Sequence, residues 1–540
     1  MATGLHLRAA NQPPPLEGYD LFSEDRPLVE ALRREGAAAA EARCAAFGRL
    51  CGGEPLELGR LANEHPPVLR THDRFGERID EVEFHPAWHA LLELGVEHGL
   101  HALPWREADD GCHVVRAALF MTLSYAEAGV GCPLSMTSAA VPALRAGAQE
   151  LAAEWEPLLT STEYDPGLRP ASDKRGALCG MAMTERQGGS DVRANETRAE
   201  LHGDGYRLTG HKWFCSAPMS DAFLVLAQAP DGLTCFLLPR VLDDGTRNGF
   251  RIERLKDKLG NRSNASAEIR LEDAFAYRVG DEGRGVATII EMVVHTRLDC
   301  VLGSAAIVRR AVAEATHHTA HRDAFGRRLS EQPLMQNVLA DLCLDSEAAT
   351  ATALRLARAF DEDDHALRRL ATAVAKYWVC KATPPLVAEA LECLGGNGYV
   401  EESVLPRLFR ESPLNSIWEG SGNVNCLDVL RAIEREPESL EAFRAELALA
   451  RGDNRHLDAA LARLDRELPG SEGAEPVARR LVEGMALCLQ GSLLVRHAPS
   501  EVSDAFCAAR LGDEGGRAYG TLPRGVGAAA IVERHRPRVG

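Results

Sequence analysis

The segment Gly180-Met181-Ala182-Met183-Thr184-Glu185-Arg186-Gln187-Gly188-Gly189-Ser190-Asp191 is followed, across one short strand-like run, by Gly210-His211-Lys212-Trp213-Phe214-Cys215-Ser216. Gly188-Gly189 lets the backbone approach a bound group closely. The hydroxyls of Thr184 and Ser190 can donate to ring carbonyls or phosphate oxygens. Trp213 and Phe214 offer a flat apolar wall and Ser216 a hydroxyl, which together suit a stacked planar ring. Each stretch alone also reads as ordinary structure. The first can be a surface turn, the second a strand edge with core aromatics.

Working outward, short runs rich in β-branched and aromatic residues alternate here with Gly-containing turns. Tyr206-Arg207-Leu208-Thr209, Ala222-Phe223-Leu224-Val225-Leu226, Thr234-Cys235-Phe236-Leu237-Leu238 and Ala267-Glu268-Ile269-Arg270-Leu271 are separated by Gly203-Asp204-Gly205, Pro230-Asp231-Gly232 and Asp244-Gly245. That pattern predicts a compact β domain over 176–284. Upstream, apolar residues recur at helical spacing (Ala117, Leu119, Phe120, Leu123), so 1–175 reads as a helical domain. Downstream, Ile289, Val293, Leu298, Val301 and Leu302 share one helix face, which predicts a helical bundle over 285–438. Leu457, Leu461, Leu464 and Leu468 continue the helical pattern through a last domain, 439–540. The order is α, β, α, α, with no internal repeat.

Composition excludes several classes. With 540 residues, 45% hydrophobic and 26% charged, the chain is globular and has three or four domains. Fourteen cysteines are too dilute for a disulfide scaffold. No C-x-x-C or H-E-x-x-H occurs, so no metal is expected. No apolar run is long enough to cross a membrane, and Met1–Gly18 lacks the apolar core of a secretory signal. A cytoplasmic location is expected. There is no P-loop and no G-x-G-x-x-G after a strand, so any nucleotide is held without a dinucleotide-binding Rossmann domain. The net charge of −18 opposes non-specific contact with nucleic acid. From Glu441 onward, however, 14 Arg balance 14 acids, and Arg510–Gly540 holds six Arg against three acids.

Two further stretches carry chemistry. In Ser416-Ile417-Trp418-Glu419-Gly420-Ser421-Gly422-Asn423, a carboxylate between Trp418 and Gly420 is partly desolvated. Burial raises its pKa and suits it to act as a general base, or leaves it a structural acid. His317 and His321 lie one helical turn apart but have no third ligand at fitting spacing, so they read as a solvated His-rich helix face.

Taken together and in order, these segments resemble the acyl-CoA dehydrogenase flavoproteins. The resemblance rests on Met183-Thr184-Glu185 with Gly188-Gly189-Ser190, then Gly210–Trp213, Arg322-Asp323-Ala324-Phe325-Gly326, Gly395-Gly396-Asn397-Gly398-Tyr399 and Trp418-Glu419-Gly420-Ser421. It implies an α+β fold with an N-terminal helical domain, a central β-barrel and a helical bundle, here with an extra C-terminal helical domain. It implies FAD and a homo-oligomer, usually a tetramer. Met181, Ala182, Met183, Thr184, Gly189 and Ser190 would cradle the flavin ring or pyrophosphate. Trp213 would flank the ring, with Phe214, Cys215 and Ser216 beside it. Arg322 and Phe325 would reach the FAD of a neighbouring subunit. Gly395 and Gly396 would run along the adenosine, and Gly420, Ser421 and Asn423 would contact phosphate or adenine. Glu419 matches a catalytic-base position, taking the α-proton of an acyl thioester while hydride leaves the β-carbon.

Within the family, the chain looks most like an alkylation-response branch. The resemblance lies in Asn11-Gln12-Pro13, the segments 56–63 and 254–266, and the C-terminal extension. That branch implies double-stranded DNA binding through the C-terminal domain, for which Arg510, Arg517, Arg524, Arg534, Arg536 and Arg538 are the candidates if they share a face. Two positions depart from the family: Pro333 stands where a Gln is usual, after Gln332, and Ser421 where many members have Thr. Three readings follow: a working dehydrogenase, a DNA-associated protective flavoprotein with vestigial chemistry, and an oligomer that keeps FAD for stability alone.

Overall fold

The computed structural model describes residues 11–107, 109–468, 473–512 and 514–539. The first ten residues lie outside them. Strands β3 (Cys179–Ala182), β4 (Arg198–His202), β5 (Gly205–Ser216), β6 (Ala222–Ala229), β7 (Gly232–Pro239), β8 (Phe250–Leu255) and β9 (Ser266–Val279) form one seven-stranded sheet. It closes on itself. Strand β6 pairs with β7, β7 with β9, β9 with β5, β5 with β4, and β4 returns to β6 through Arg198 and Gln228. Closure satisfies the backbone groups that an open edge would expose.

Strand β6 shows why the sequence reads as a continuous apolar run. Phe223 and Val225 face the barrel interior with Phe236, Phe250 and Ile269. Leu224 and Leu226 face outward onto Val141, Leu144 and Trp155 of the preceding helices. Both faces are buried, so apolar-polar alternation is lost.

The N-terminal region is helical except for a hairpin. Strands β1 (Val68–His72) and β2 (Arg78–Glu83) pair antiparallel around a turn closed by Gly76 at φ +87°. The sequence reading missed this hairpin, because its mostly polar strands carry little apolar periodicity. Its role is docking: Asp80 Oδ1 accepts the Ile252 amide at 3.1 Å, and Arg78 Nη2 donates to the Ile252 carbonyl at 3.2 Å.

The bundle is built from three long helices, Gly285–His321, Pro333–Asp361 and His365–Cys393, followed by Gly422–Arg435. Pro333 starts its helix at a position where a missing N–H costs nothing. Asp364 caps the next helix by accepting from the Leu367 amide at 3.0 Å. The helices Pro437–Ala448, Arg455–Glu467, Ala478–His497, Ser500–Phe506 and Ala528–His535 form the C-terminal extension, which shares one apolar core with the bundle and the N-terminal helices. All fourteen cysteines are free and buried. Among the described residues, no helix is long and apolar enough to cross a membrane.

Candidate active site

The flavin-type motif is assembled where β3 meets β5. The Thr184 carbonyl accepts the Trp213 amide at 2.8 Å. Alternation along β5 then sends neighbours opposite ways. Lys212 points inward with no exposed surface. It donates to Glu185 Oε1 at 2.7 Å and to the Leu226 carbonyl at 2.7 Å. Burial opposes ionisation of Glu185, but the Lys212 charge and the Glu196 and Thr197 amides outweigh it and hold the carboxyl down at about 2.

Trp213 stays half-exposed. Lys256 Nζ lies 3.6 Å from its ring centroid, and the Arg186 and Arg254 guanidiniums lie at 5.3 and 5.9 Å. Phe214 is exposed beside it, and Ser216 Oγ lies 3.0 Å from Ser266 Oγ. Gly189 folds against Thr184 so tightly that a Cβ there would sit 2.4 Å from Thr184 Oγ1. A flat wall, an exposed Ser190 beside half-buried Thr184 and Ser216, and a turn that only glycine can make fit a planar ring with a phosphate tail. At two expected positions, Cys215 and Ala182, the side chains turn into the barrel core, leaving the backbone to face outward.

The candidate base lies on the loop between helices. Glu419 sits at φ +57°, followed by Gly420 at φ +94°. Its Oε2 accepts from Thr296 Oγ1 at 2.7 Å. Burial pushes the Glu419 carboxyl above its ordinary range, and Thr296, Lys376 and Arg297 offset part of that rise. The loop's backbone is held from behind. Lys376 Nζ donates to the Trp418 carbonyl at 2.7 Å and also to the Gly420 carbonyl. Arg297 Nε donates to the Glu419 carbonyl at 3.1 Å, while its Nη1 pairs with Asp428 Oδ2 at 2.6 Å. Asp428 is held by Arg369 as well. Trp418 packs on the same apolar cluster as Met181, Met183 and Cys132, which brings the base loop to the flavin-type motif.

Other expected residues lie elsewhere. Arg322 follows Thr296 by about 39 Å of helix at 1.5 Å per residue. Its Nη1 donates to the Asn11 carbonyl at 2.6 Å. Phe325, in the hairpin beyond, is 97% exposed. Gly395, at φ +59°, and Gly396 sit at the end of the 365–393 helix, beside exposed Tyr399. One chain therefore does not bring Arg322 and Phe325 to Glu419. Ser421 is exposed at the start of the 422–435 helix, and Asn423 Oδ1 accepts from Arg479 at 2.8 Å.

The arginine tail is largely spent internally. Arg510 pairs with Asp341 and Asp345, and Arg534 with Glu30 and Glu347. Arg536 and Arg538 face Glu533. Arg517 and Arg524 are exposed, with no ion pair among the described residues. The six do not form one open cationic face. The expected solvated histidine face is instead largely buried: His317 and His318 are covered, and His317 Nε2 meets the Pro14 carbonyl at 2.8 Å. Among the described residues no cluster that could hold a metal occurs.

Thr296, Arg297 and Lys376 were missed from sequence. The signal for Lys376 was a lone cation within the apolar helical run Leu370–Val379.

Three family models match the chain. Residues 11–166 match the model of the adaptive response protein AidB N-terminal domain. Residues 180–274 match the acyl-CoA dehydrogenase middle domain, and 283–434 its C-terminal domain. The chain belongs to the acyl-CoA dehydrogenase family of FAD-dependent oxidoreductases. Within it, the chain is 47% identical over 513 residues to AidB of Escherichia coli (strain K12), covering 94% of each. It is 32% identical over 529 residues to acyl-CoA dehydrogenase family member 11 of Caenorhabditis elegans, covering 89% of this chain and 84% of that one. Its fold matches the structure of C. elegans ACDH-11 in complex with C11-CoA at a TM-score of 0.85 and 29% identity, covering 98% of this chain and 93% of the other.

Proposed function

We propose that the chain dehydrogenates an acyl thioester at its α and β carbons, with Glu419 as the base. The observation that carries this reading is the half-buried Glu419 carboxyl, hydrogen-bonded to Thr296 on a loop packed against the flavin-type motif. Thr184, Gly189, Ser190, Trp213, Phe214 and Ser216 would hold FAD, with the backbone of Met181, Ala182, Met183 and Cys215. Gly420, Ser421 and Asn423 would meet its phosphate or adenine. When bound, FAD supplies the hydride acceptor. Glu419 takes the α-proton onto its carboxylate. Thr296 aims that carboxylate, and the apolar packing around Trp418 excludes water, so the base is stronger than in solution. Arg322, Phe325, Gly395 and Gly396 would serve the FAD of a second copy. The near-complete exposure of Phe325, and its distance from Glu419 along the chain, support a homo-oligomer, with a tetramer as the family expectation.

Anaerobic titration with short, branched and long acyl-CoAs tests the reading. Bleaching of the flavin band by one class names the substrate, and no bleaching by any member overturns it.

A second reading, binding of double-stranded DNA in an alkylation response, is supported by the likeness to AidB. It rests on exposed Arg517 and Arg524, and on exposed Arg538, whose pair with Glu533 is long at 3.7 Å; Arg510, Arg534 and Arg536 pair closely with acids. Duplex binding measured across salt concentration tests it, and binding that does not change when those three exposed arginines are neutralised places the contact elsewhere.

A further inference from the structure

We propose that Lys376 is a positioning residue for the base: it fixes the Glu419 loop by its backbone and sets the charge the carboxylate faces. The proposal rests on the reading of Glu419 as the base. Lys376 lies mid-helix in an apolar run and is 1% exposed. Its ammonium makes no ion pair among the described residues. Its hydrogen bonds go to the carbonyls of Trp418 and Gly420, on either side of Glu419. Removing an ammonium from water is costly unless it is compensated. Two carbonyl dipoles compensate in part. The carboxylate on the residue between them is stabilised by the same charge.

The backbone geometry explains why the clamp is needed. The carbonyls of Trp418, Glu419 and Gly420 are all engaged by cationic side chains, the middle one by Arg297. Asn425 Nδ2 adds a further bond to the Gly420 carbonyl. Holding three successive carbonyls places Glu419 in the left-handed region, which is strained for a non-glycine residue. The side chain is thereby directed to Thr296. A lysine serving only as filler would not need to reach both flanking carbonyls.

Every charged group near the carboxylate is accounted for. Arg297 and Asp299 face it from the 285–321 helix, and Lys376 from the 365–393 helix. Asp428 on the 422–435 helix is neutralised by Arg297 and Arg369. The Cys132 and Cys300 thiols stay protonated, as burial pushes both upward. Losing the Lys376 charge should therefore move the Glu419 titration to higher pH.

The test compares Lys376→Met with Lys376→Gln, which keeps two donors for the two carbonyls but no charge. Two readouts are used: turnover against pH, and the infrared carboxyl band of Glu419, identified by its loss in Glu419→Gln. Lys376→Met should lower kcat by about tenfold or more, as expected for a displaced catalytic group, with KM nearly unchanged and flavin retained. Lys376→Gln should recover much of that loss. In both variants the carboxyl titration should move to higher pH. A titration that does not move in either variant overturns the proposal, as does full kcat in Lys376→Met. If Lys376→Met does not fold, Lys376→Gln alone carries the titration test. If no acyl-CoA bleaches the wild type, the dehydrogenation reading falls, while a moved carboxyl band still upholds the coupling of Lys376 to Glu419.

Discussion

Two lysines are buried in this molecule within reach of the proposed chemistry, and they are solvated differently. Lys212, under the flavin-type motif, meets a carboxylate, Glu185, at 2.7 Å. Lys376, behind the base loop, meets only carbonyls. The first pair is neutral overall and welds β5 to the turn after β3. The second leaves a positive charge to be answered across the loop by Glu419. A buried cation with its own acid holds structure, and one without shapes the acid that does the chemistry.

The largest expected effect breaks the second region directly. Glu419→Gln should cost about 10²–10⁴ in turnover, the usual contribution of a general base, with flavin still bound in the visible spectrum. In the first region the effect should fall on stability. Lys212→Met leaves Glu185 buried and unpaired and should cost about 3–5 kcal/mol in denaturant unfolding. Lys212→Met combined with Glu185→Leu should cost less than the sum of the single changes.

Thr296→Val sharpens the comparison by removing a bond to the base while leaving Lys376 in place. A hydrogen bond to a charged group is worth about 1.5–3 kcal/mol. The sign follows from the base being active only when ionised. Activity is lost as pH falls through the Glu419 pKa, which burial already raises. Thr296 lowers that pKa, so its removal should move the acid limb of kcat/KM further toward neutral pH.

The smallest effect concerns the tail. If duplex DNA binds there, Arg517→Gln with Arg524→Gln should reduce the salt slope of binding by about two, and Arg510→Gln should destabilise the fold without changing that slope.

The α-β-α-α order was legible because helical and alternating periods are properties of neighbouring residues. The Thr184, Trp213 and Glu419 motifs were legible for a related reason, since each is contiguous in sequence. The partners of those motifs were not. Lys376 lies 43 positions before Glu419, and only folding shows which carbonyls it meets. The arginine tail is the converse case. A count of charge sees six cations but not Asp341, Asp345 and Glu347, which lie more than 150 positions upstream and absorb Arg510 and Arg534. Cys215 and Ala182 belong to motif-bearing segments, yet strand alternation turns their side chains into the barrel.

On the reading proposed above, the half-buried Glu419 carboxylate removes the substrate proton. An anaerobic visible titration of wild type and Glu419→Gln with the same acyl-CoA panel tests it most directly. Bleaching of the wild-type flavin by at least one acyl-CoA is expected, with a bound but unbleached flavin in the variant. Equal bleaching of both proteins would contradict it.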